Sequence, residues 1–160
     1  MSASIKNQAY IAALWEQPTL CLAFFGVQFQ TEEGQKLYND SGIQEEILPA
    51  LAAAESEGLL LNREMMTKEG PVIMQYWRSH EELNQWSHKL PHTRWWQWLV
   101  DNTDKGVCFY HEIYQVKTAE AIYEPGTQPV GPAVFCSLYP VKTGEGKSKQ
   151  RQQKFTEAAN

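Results

Sequence analysis

All four histidines of this 160-residue chain (His80, His88, His92, His111) and five of its six tryptophans fall between Pro71 and Val116. Imidazoles titrate near neutrality and indoles make apolar walls, which is what a ligand pocket with a few polar handles requires. A densely filled core has the same composition, so the segment locates the question first. His92 shares a helical face with Trp95, Trp96 and Leu99, at i, i+3, i+4 and i+7. On that inward face it is either a general base or iron ligand, or a buried histidine held by a backbone group. His111 alternates with Val107, Phe109 and Ile113, so burial is expected on whichever face this set lies. It is then a core residue or a pocket base. Glu112 points the other way, because strand neighbours face opposite sides, and it shares its face with Tyr110 and Tyr114. A carboxylate between two phenols on a buried face is a candidate base, a structural acid, or an inter-subunit hydrogen-bond partner.

His80 and His88 lie off the apolar stripe and are expected in solvent. His88 and His92 have the i, i+4 spacing of a helical metal pair, but Pro91 intervenes and no acidic third ligand follows, so no metal site is expected. Trp77 and Arg78 close a strand, where a ring and a guanidinium either grip a substrate or seal the rim. There is no Ser-His-Asp order, no Gly-rich phosphate loop and no Walker or Rossmann fingerprint, which leaves hydrolase, kinase and dehydrogenase readings without support.

The elements that must position these residues follow from periodicity. Residues 1–18 read as a helical lead-in, with Ile11, Leu14 and Trp15 at helical spacing. Thr19 to Gln30 is a strand with both alternating sets apolar, hence buried on both faces. Thr31 caps a helix that breaks at Asn39-Asp40-Ser41-Gly42 and restarts with Ile43, Ile47, Leu51 and Ala54, stopping at Gly58. Leu59 to Thr67 and Pro71 to Trp77 form a hairpin around Lys68-Glu69-Gly70. Ser79 with Glu82 three residues on is a capping box ahead of Leu83, Trp86 and Leu90; after Pro91 the helix resumes from His92, and Gly106 to Val116 is the fourth strand.

The order β-α-β-β-α-β is the ferredoxin-like arrangement of an α+β fold, within a single domain over 19–140. Two helices would cover one sheet face and leave the other bare and apolar, which a second copy would cover, so a homodimer is expected. Thr118 to Pro140 is expected as an extended arm, and 141–160 as a polar, disordered tail.

Bulk properties narrow the partners. A net charge of −5 argues against nucleic acid, which calls for a basic patch. The apolar run Thr19 to Val27 is too short for a membrane helix, and no signal-type segment opens the chain. Three widely spaced cysteines without a C-x-x-C pair suit a reducing, cytoplasmic compartment.

Tyr76-Trp77-Arg78-Ser79, Leu83, His92 with Trp96, Gly106-Val107 through His111-Glu112-Ile113-Tyr114, and Glu120-Ala121-Ile122-Tyr123 carry a resemblance over about residues 19–125. The chain resembles a bacterial and fungal family of small monooxygenase-like proteins, named for an enzyme of fungal fumagillin biosynthesis, in the dimeric α+β barrel superfamily. Ile113 stands where that family usually has Thr, and Glu124-Pro125-Gly126 replaces its usual Asn, Met-Pro and Gly-Leu continuation.

The resemblance implies a ferredoxin-like protomer, a dimer closed sheet to sheet, and, by analogy with antibiotic-biosynthesis monooxygenases, oxygenation of a small hydrophobic (aromatic or terpenoid-like) metabolite without flavin or metal. The base would be His92, His111 or Glu112. Trp77, Arg78, Trp95, Trp96, Tyr110, Tyr114 and Tyr123 would bind substrate. Two alternatives accompany this reading. One is haem chemistry with His92 as ligand, since superfamily haem-degrading enzymes resemble the Trp86…His92 region. The other is a non-catalytic ligand-binding dimer.

Overall fold

A computed structural model describes residues 7–141 and 147–160 of the chain. It divides into two compact units, one of Cys21–Gln115 and one joining the segment through Leu20 to the segment from Val116 onward.

The first unit is the expected β-α-β-β-α-β arrangement. The second is built around the short strand β1 (Tyr10–Ala12), and the first unit opens with β2 (Cys21–Phe29). After β2, α1 (Glu32–Asn39) and α2 (Ile43–Ala54) cross to the hairpin β3 (Leu59–Met66) and β4 (Pro71–Trp77). Then α3 (His80–Ser87) and α4 (His92–Val100) lead to β5 (Val107–Gln115). The antiparallel sheet runs β3-β4-β2-β5, the ferredoxin-like order, in which the two strands preceding helices lie centrally.

Local chemistry explains the helix ends. Thr31 accepts from the Gly34 N–H at 3.0 Å and Ser79 accepts from the Glu82 N–H at 3.2 Å, each satisfying a donor that a helix N-terminus leaves unpaired. Ser79 also donates to the Glu82 carboxylate at 3.0 Å. Gly58 ends the crossover from β2 to β3 with a positive φ of 111°, where other residues would be strained.

One face of the sheet carries the core. Cys21, Ala23 and Val27 of β2, Trp77 of β4 and Val107 of β5 are buried against Tyr38, Ile43, Leu51, Leu83, Trp86, Trp95 and Leu99 from the helices. Register puts Leu22, Phe24 and Gly26 on the opposite face, opposite Tyr76, Met74 and Val72 on one side and Tyr114, Glu112 and Tyr110 on the other. Gly26 is required there, since a Cβ at that position would lie 2.2 Å from the Tyr110 ring.

The second unit departs from expectation. In place of a helical lead-in, Tyr10–Ala12 is the central strand of a three-stranded antiparallel sheet, flanked by β6 (Ile122–Tyr123) and β7 (Leu138–Pro140). Tyr10, Ile11, Ala12, Ala13 and Leu14 are all buried. Tyr10–Ala12, buried at every position, suits a strand covered on both faces, and Leu14 then opens a single 3-10 turn, Leu14–Glu16. Residues 1–6 of the expected lead-in lie outside the described residues. The arm contributes both outer strands.

The tail also differs, because Ser148–Ala159 is a helix, α5, where disorder was expected. Phe155 is fully buried, and Arg151, itself buried, pairs with Glu120 at 2.8 Å. A hydroxyl bond from Ser148, with Arg151 beside it, holds the Glu120 carboxyl below the usual carboxylate range. Two anchors therefore suffice to dock a polar helix whose composition alone suggests none. Residues 142–146 of the expected tail lie outside the described residues.

Candidate active site

Between the covered sheet face and α1, α2, α3 and α4 lies a narrow cavity, with about 60 Å³ open to the centre of a water molecule. Its walls are apolar: Ala23, Phe25 and Ile73 from the sheet, and Ile43, Ile47, Leu51, Leu83 and Leu99 from the helices. Aromatic walls come from Tyr38, Trp86, Trp95 and Trp96, and polar groups from Gln75, Ser87, His92 and His111.

His92 opens α4, and its Nδ1 lies 2.8 Å from the Ser87 carbonyl oxygen at the end of α3. A carbonyl only accepts, so Nδ1 carries the hydrogen in this contact and Nε2 keeps the lone pair of the neutral ring. The ring packs edge-on to Trp86 at 5.0 Å and stacks on Trp96 at 6.4 Å between centroids. Burial among these indoles pushes its pKa below the ordinary value, opposed by the Ser87 bond and reinforced by His111 and His88. His92 is thus held by a backbone group and also lines the cavity, so the two readings left open by its sequence position are compatible.

His111 lies on the helix-facing side of β5, on the same face as Phe25 and Phe109. Its ring sits 5.8 Å from Trp96 and 6.4 Å from Phe25. The expectation that it is buried is corrected, for the residue is largely exposed and stands at the cavity mouth with one side against aromatic rings. β5 is the edge strand of the sheet, so apolar alternation along it did not guarantee cover. Desolvation on the packed side still lowers its pKa. Trp96, 38% exposed, lies between the two histidines.

Glu112 is separated from both. It lies on the opposite sheet face, exposed in the protomer, and accepts a hydrogen bond from the Tyr114 hydroxyl at 2.8 Å. The phenol partner was expected, but the buried face was not observed. The bond raises the Tyr114 pKa by stabilising its protonated form. Tyr110 packs over Gly26 on that face, and Tyr114 is exposed with its ring edge-on to Phe24 at 6.0 Å.

The remaining expected substrate contacts divide similarly. Trp95 is buried in the cavity wall and donates its indole N–H to Glu46 at 2.9 Å; that bond, with Arg94, holds the Glu46 carboxyl below its usual range. Trp77 is fully buried behind the cavity, 5.4 Å from Trp86, and donates to Gln75 Oε1 at 3.0 Å. Arg78 forks onto Glu82 at the start of α3. Tyr123 belongs to the other unit, stacked on Tyr10 at 5.1 Å and donating to the Val130 carbonyl at 2.7 Å. A C-terminal segment rich in Pro and Gly gave no sign that its tyrosine would serve a separate sheet.

Three polar wall residues were not singled out from the sequence, Tyr38, Gln75 and Ser87. Gln75 had a visible signal, being the one polar member of the set Ile73, Gln75, Trp77. His80 and His88 are exposed as expected. Among the described residues no group of three or more His, Cys, Asp or Glu side chains could hold a metal ion, and no helix is long and apolar enough to cross a membrane.

The His92 environment makes stability depend on pH. Its folded pKa lies below the unfolded value of about 6.5, so the unfolded chain binds the proton first as pH falls. The stabilisation is complete above 6.5 and is lost between 6.5 and the lower folded pKa. Thermal melts from pH 8 to 5 are expected to show a fall in Tm that is smaller in His92→Gln than in the wild type. Parallel curves would show that His92 is solvated.

Among curated proteins, none matches this chain. Of solved structures, an aldoxime dehydratase superposes with a TM-score of 0.62 at 16% identity, covering 99% of this chain and 47% of that one. The aldoxime dehydratase OxdRE, co-crystallised with butyraldoxime, gives 0.58 at 16%, covering 96% and 44%. The chain therefore spans less than half the length of either enzyme, and the likeness establishes the fold. SnoaB, a cofactor-independent oxygenase from Streptomyces nogalater, gives 0.35 at 8%, covering 70% and 96%. The family model described as Monooxygenase af470-like matches residues 26–131, two-thirds of the sequence, from the end of β2 through α1–α4 and β5, and the chain belongs to that family.

Proposed function

We propose that the chain is an oxygenase that acts without flavin or metal on a small hydrophobic aromatic metabolite, with His92 as the general base. The observation that carries this reading is the Nδ1 bond to Ser87, which leaves Nε2 basic in a ring lining an apolar cavity. A depressed pKa keeps that ring neutral, hence competent as a base, at physiological pH. His92 removes the hydroxyl proton of an activated phenol. The electron-rich anion passes one electron to molecular oxygen, and the radical pair combines at a ring carbon as a hydroperoxide. Loss of that carbon's hydrogen with cleavage of the O–O bond releases water and leaves a carbonyl, so one oxygen atom enters product and one leaves as water.

His111 at the mouth is placed to relay protons with solvent, and exposed Trp96 is the wall that must move to admit a ring. Glu112, on the far face, takes no part. Haem was the alternative attached to His92. A neutral imidazole anchored through its other nitrogen has suitable donor chemistry for that alternative, and no step is routed through a porphyrin.

A second copy of the chain is part of the reading. The face opposite the helices carries Leu22, Phe24, Met74 and Tyr110, none fully buried, and Tyr114, 51% exposed. Sheet-to-sheet pairing would cover them and enclose Glu112 with its phenols.

Oxygen uptake with a dihydroxyanthracene-type phenol is expected to fall at least 100-fold in His92→Gln and to stay within about twofold in Glu112→Gln. Equal activity in wild type and His92→Gln would contradict the assignment. Sedimentation equilibrium is expected to return twice the 18.3 kDa chain mass, and a single-chain mass at micromolar concentration would remove the dimer.

A further inference from the structure

We propose that Gln75 is a substrate-binding residue whose side-chain NH2 donates to an oxygen atom of the ligand, and that Trp77 is the positioning residue that aims it. This deepens the oxygenase reading and rests on it for the kind of substrate, an aromatic carrying a carbonyl or phenolate oxygen.

A glutamine amide has one accepting end and one donating end, and an indole N–H can only donate. The 3.0 Å contact from Trp77 Nε1 therefore commits Gln75 Oε1 and decides which way the amide is turned. Trp77 is fully buried and wedged against Trp86, so it cannot follow the amide elsewhere. The donating end is left in the cavity wall. Opposite Gln75 across β2 is Ala23, whose small side chain leaves room above the amide, and Ile73 and Phe25 complete an apolar surround.

Asn62, its register partner on β3, is the neighbour best placed to accept from it. Yet the Asn62 Oδ1 is buried without a hydrogen-bond partner, so it does not take the Gln75 N–H. Among the described residues the Gln75 side chain has no other hydrogen bond. A half-buried donor turned towards an apolar cavity, with its orientation enforced by a buried ring, favours a ligand that brings an acceptor.

The complement is chemical. Neutral His92 offers a lone pair at Nε2 and Gln75 offers an N–H, so the cavity presents one acceptor and one donor. A phenol satisfies both in turn. Its hydroxyl hydrogen goes to His92, and the oxyanion that forms is stabilised by the amide. A hydrocarbon of the same shape satisfies neither.

Acetophenone and ethylbenzene, which differ chiefly by the ketone oxygen, separate this donor from His92, whose Nε2 cannot donate to a ketone. Binding to the whole protein would be followed by calorimetry and by the side-chain amide resonances of 15N-labelled protein. Acetophenone is expected to bind about three- to tenfold tighter than ethylbenzene and to shift the Gln75 NH2 signals downfield. Gln75→Leu should erase that preference. Gln75→Met, which removes the donor without adding a charge or an O–H, should do the same if the leucine variant fails to fold. Trp77→Phe, which frees the amide to turn, should reduce the preference without abolishing it.

A preference retained in Gln75→Leu or Gln75→Met, or no binding of acetophenone by the wild type, would overturn the proposal. A purely structural glutamine would leave the ketone-to-hydrocarbon ratio unmoved. The oxygen-uptake result for His92→Gln stands apart from this ratio, so either reading can fail alone.

Discussion

Apolar closure of one sheet face is the constraint on which the rest depends. Cys21, Ala23 and Val27 of β2 are buried against the indoles of α3 and α4, and the Phe25 ring between Ala23 and Val27 stands beside them. The space left between these side chains is the cavity. The connection from α3 to α4 then becomes a chemical device. Because α3 ends at Ser87 and α4 begins at His92, the last carbonyl of one helix is within reach of the first side chain of the next. A carbonyl left unpaired at a helix end is satisfied, and the imidazole is fixed in orientation and tautomer by the same bond.

The two faces of the sheet carry different chemistry. The helix side joins His92, Trp96, His111 and Gln75 around an apolar space, while the other side displays Tyr110, Glu112 and Tyr114 as phenols around a carboxylate. Alternation along β5 separates them, since adjacent residues project to opposite sides. The dipeptide His111-Glu112 therefore contributes one residue to each face and no dyad to either. Membership in a monooxygenase-like family and superposition on aldoxime dehydratases at 16% identity agree on the scaffold. A shared scaffold hosts different reactions, so the identity of the chemistry rests on the groups in the wall.

Much of the first unit was legible from residue order. Thr31 and Ser79 cap where side-chain chemistry requires, Gly58 stops where a positive φ is needed, and the hairpin about Gly70 falls in place. What was not legible depends on partners distant in sequence. Tyr10–Ala12 reads as part of a helix in isolation, because Ile11, Leu14 and Trp15 fit that spacing; its strand state comes from pairing with residues more than a hundred positions away. The docking of α5 rests on Phe155 and on the Arg151–Glu120 pair, which no local pattern announces. At the site, the inward face of α4 was readable from its period. The exposure of His111 was not, because alternation says which residues share a face and not whether an edge strand's end is covered. Gln75 was visible as a polar residue in an apolar set, but its meaning needed the direction of the Trp77 bond.

The central claim is that His92 sits as a neutral Nδ1–H imidazole with a basic Nε2 in an apolar cavity. Its most direct test is 15N-edited NMR of the imidazole nitrogens in uniformly labelled protein at pH 7. The account predicts one nitrogen with the shift of a protonated, hydrogen-bonded site and the other with that of an unprotonated lone-pair site, with any titration centred below the ordinary histidine pKa. Averaged shifts that titrate near the ordinary histidine pKa, as for a ring exchanging tautomers in water, would contradict it.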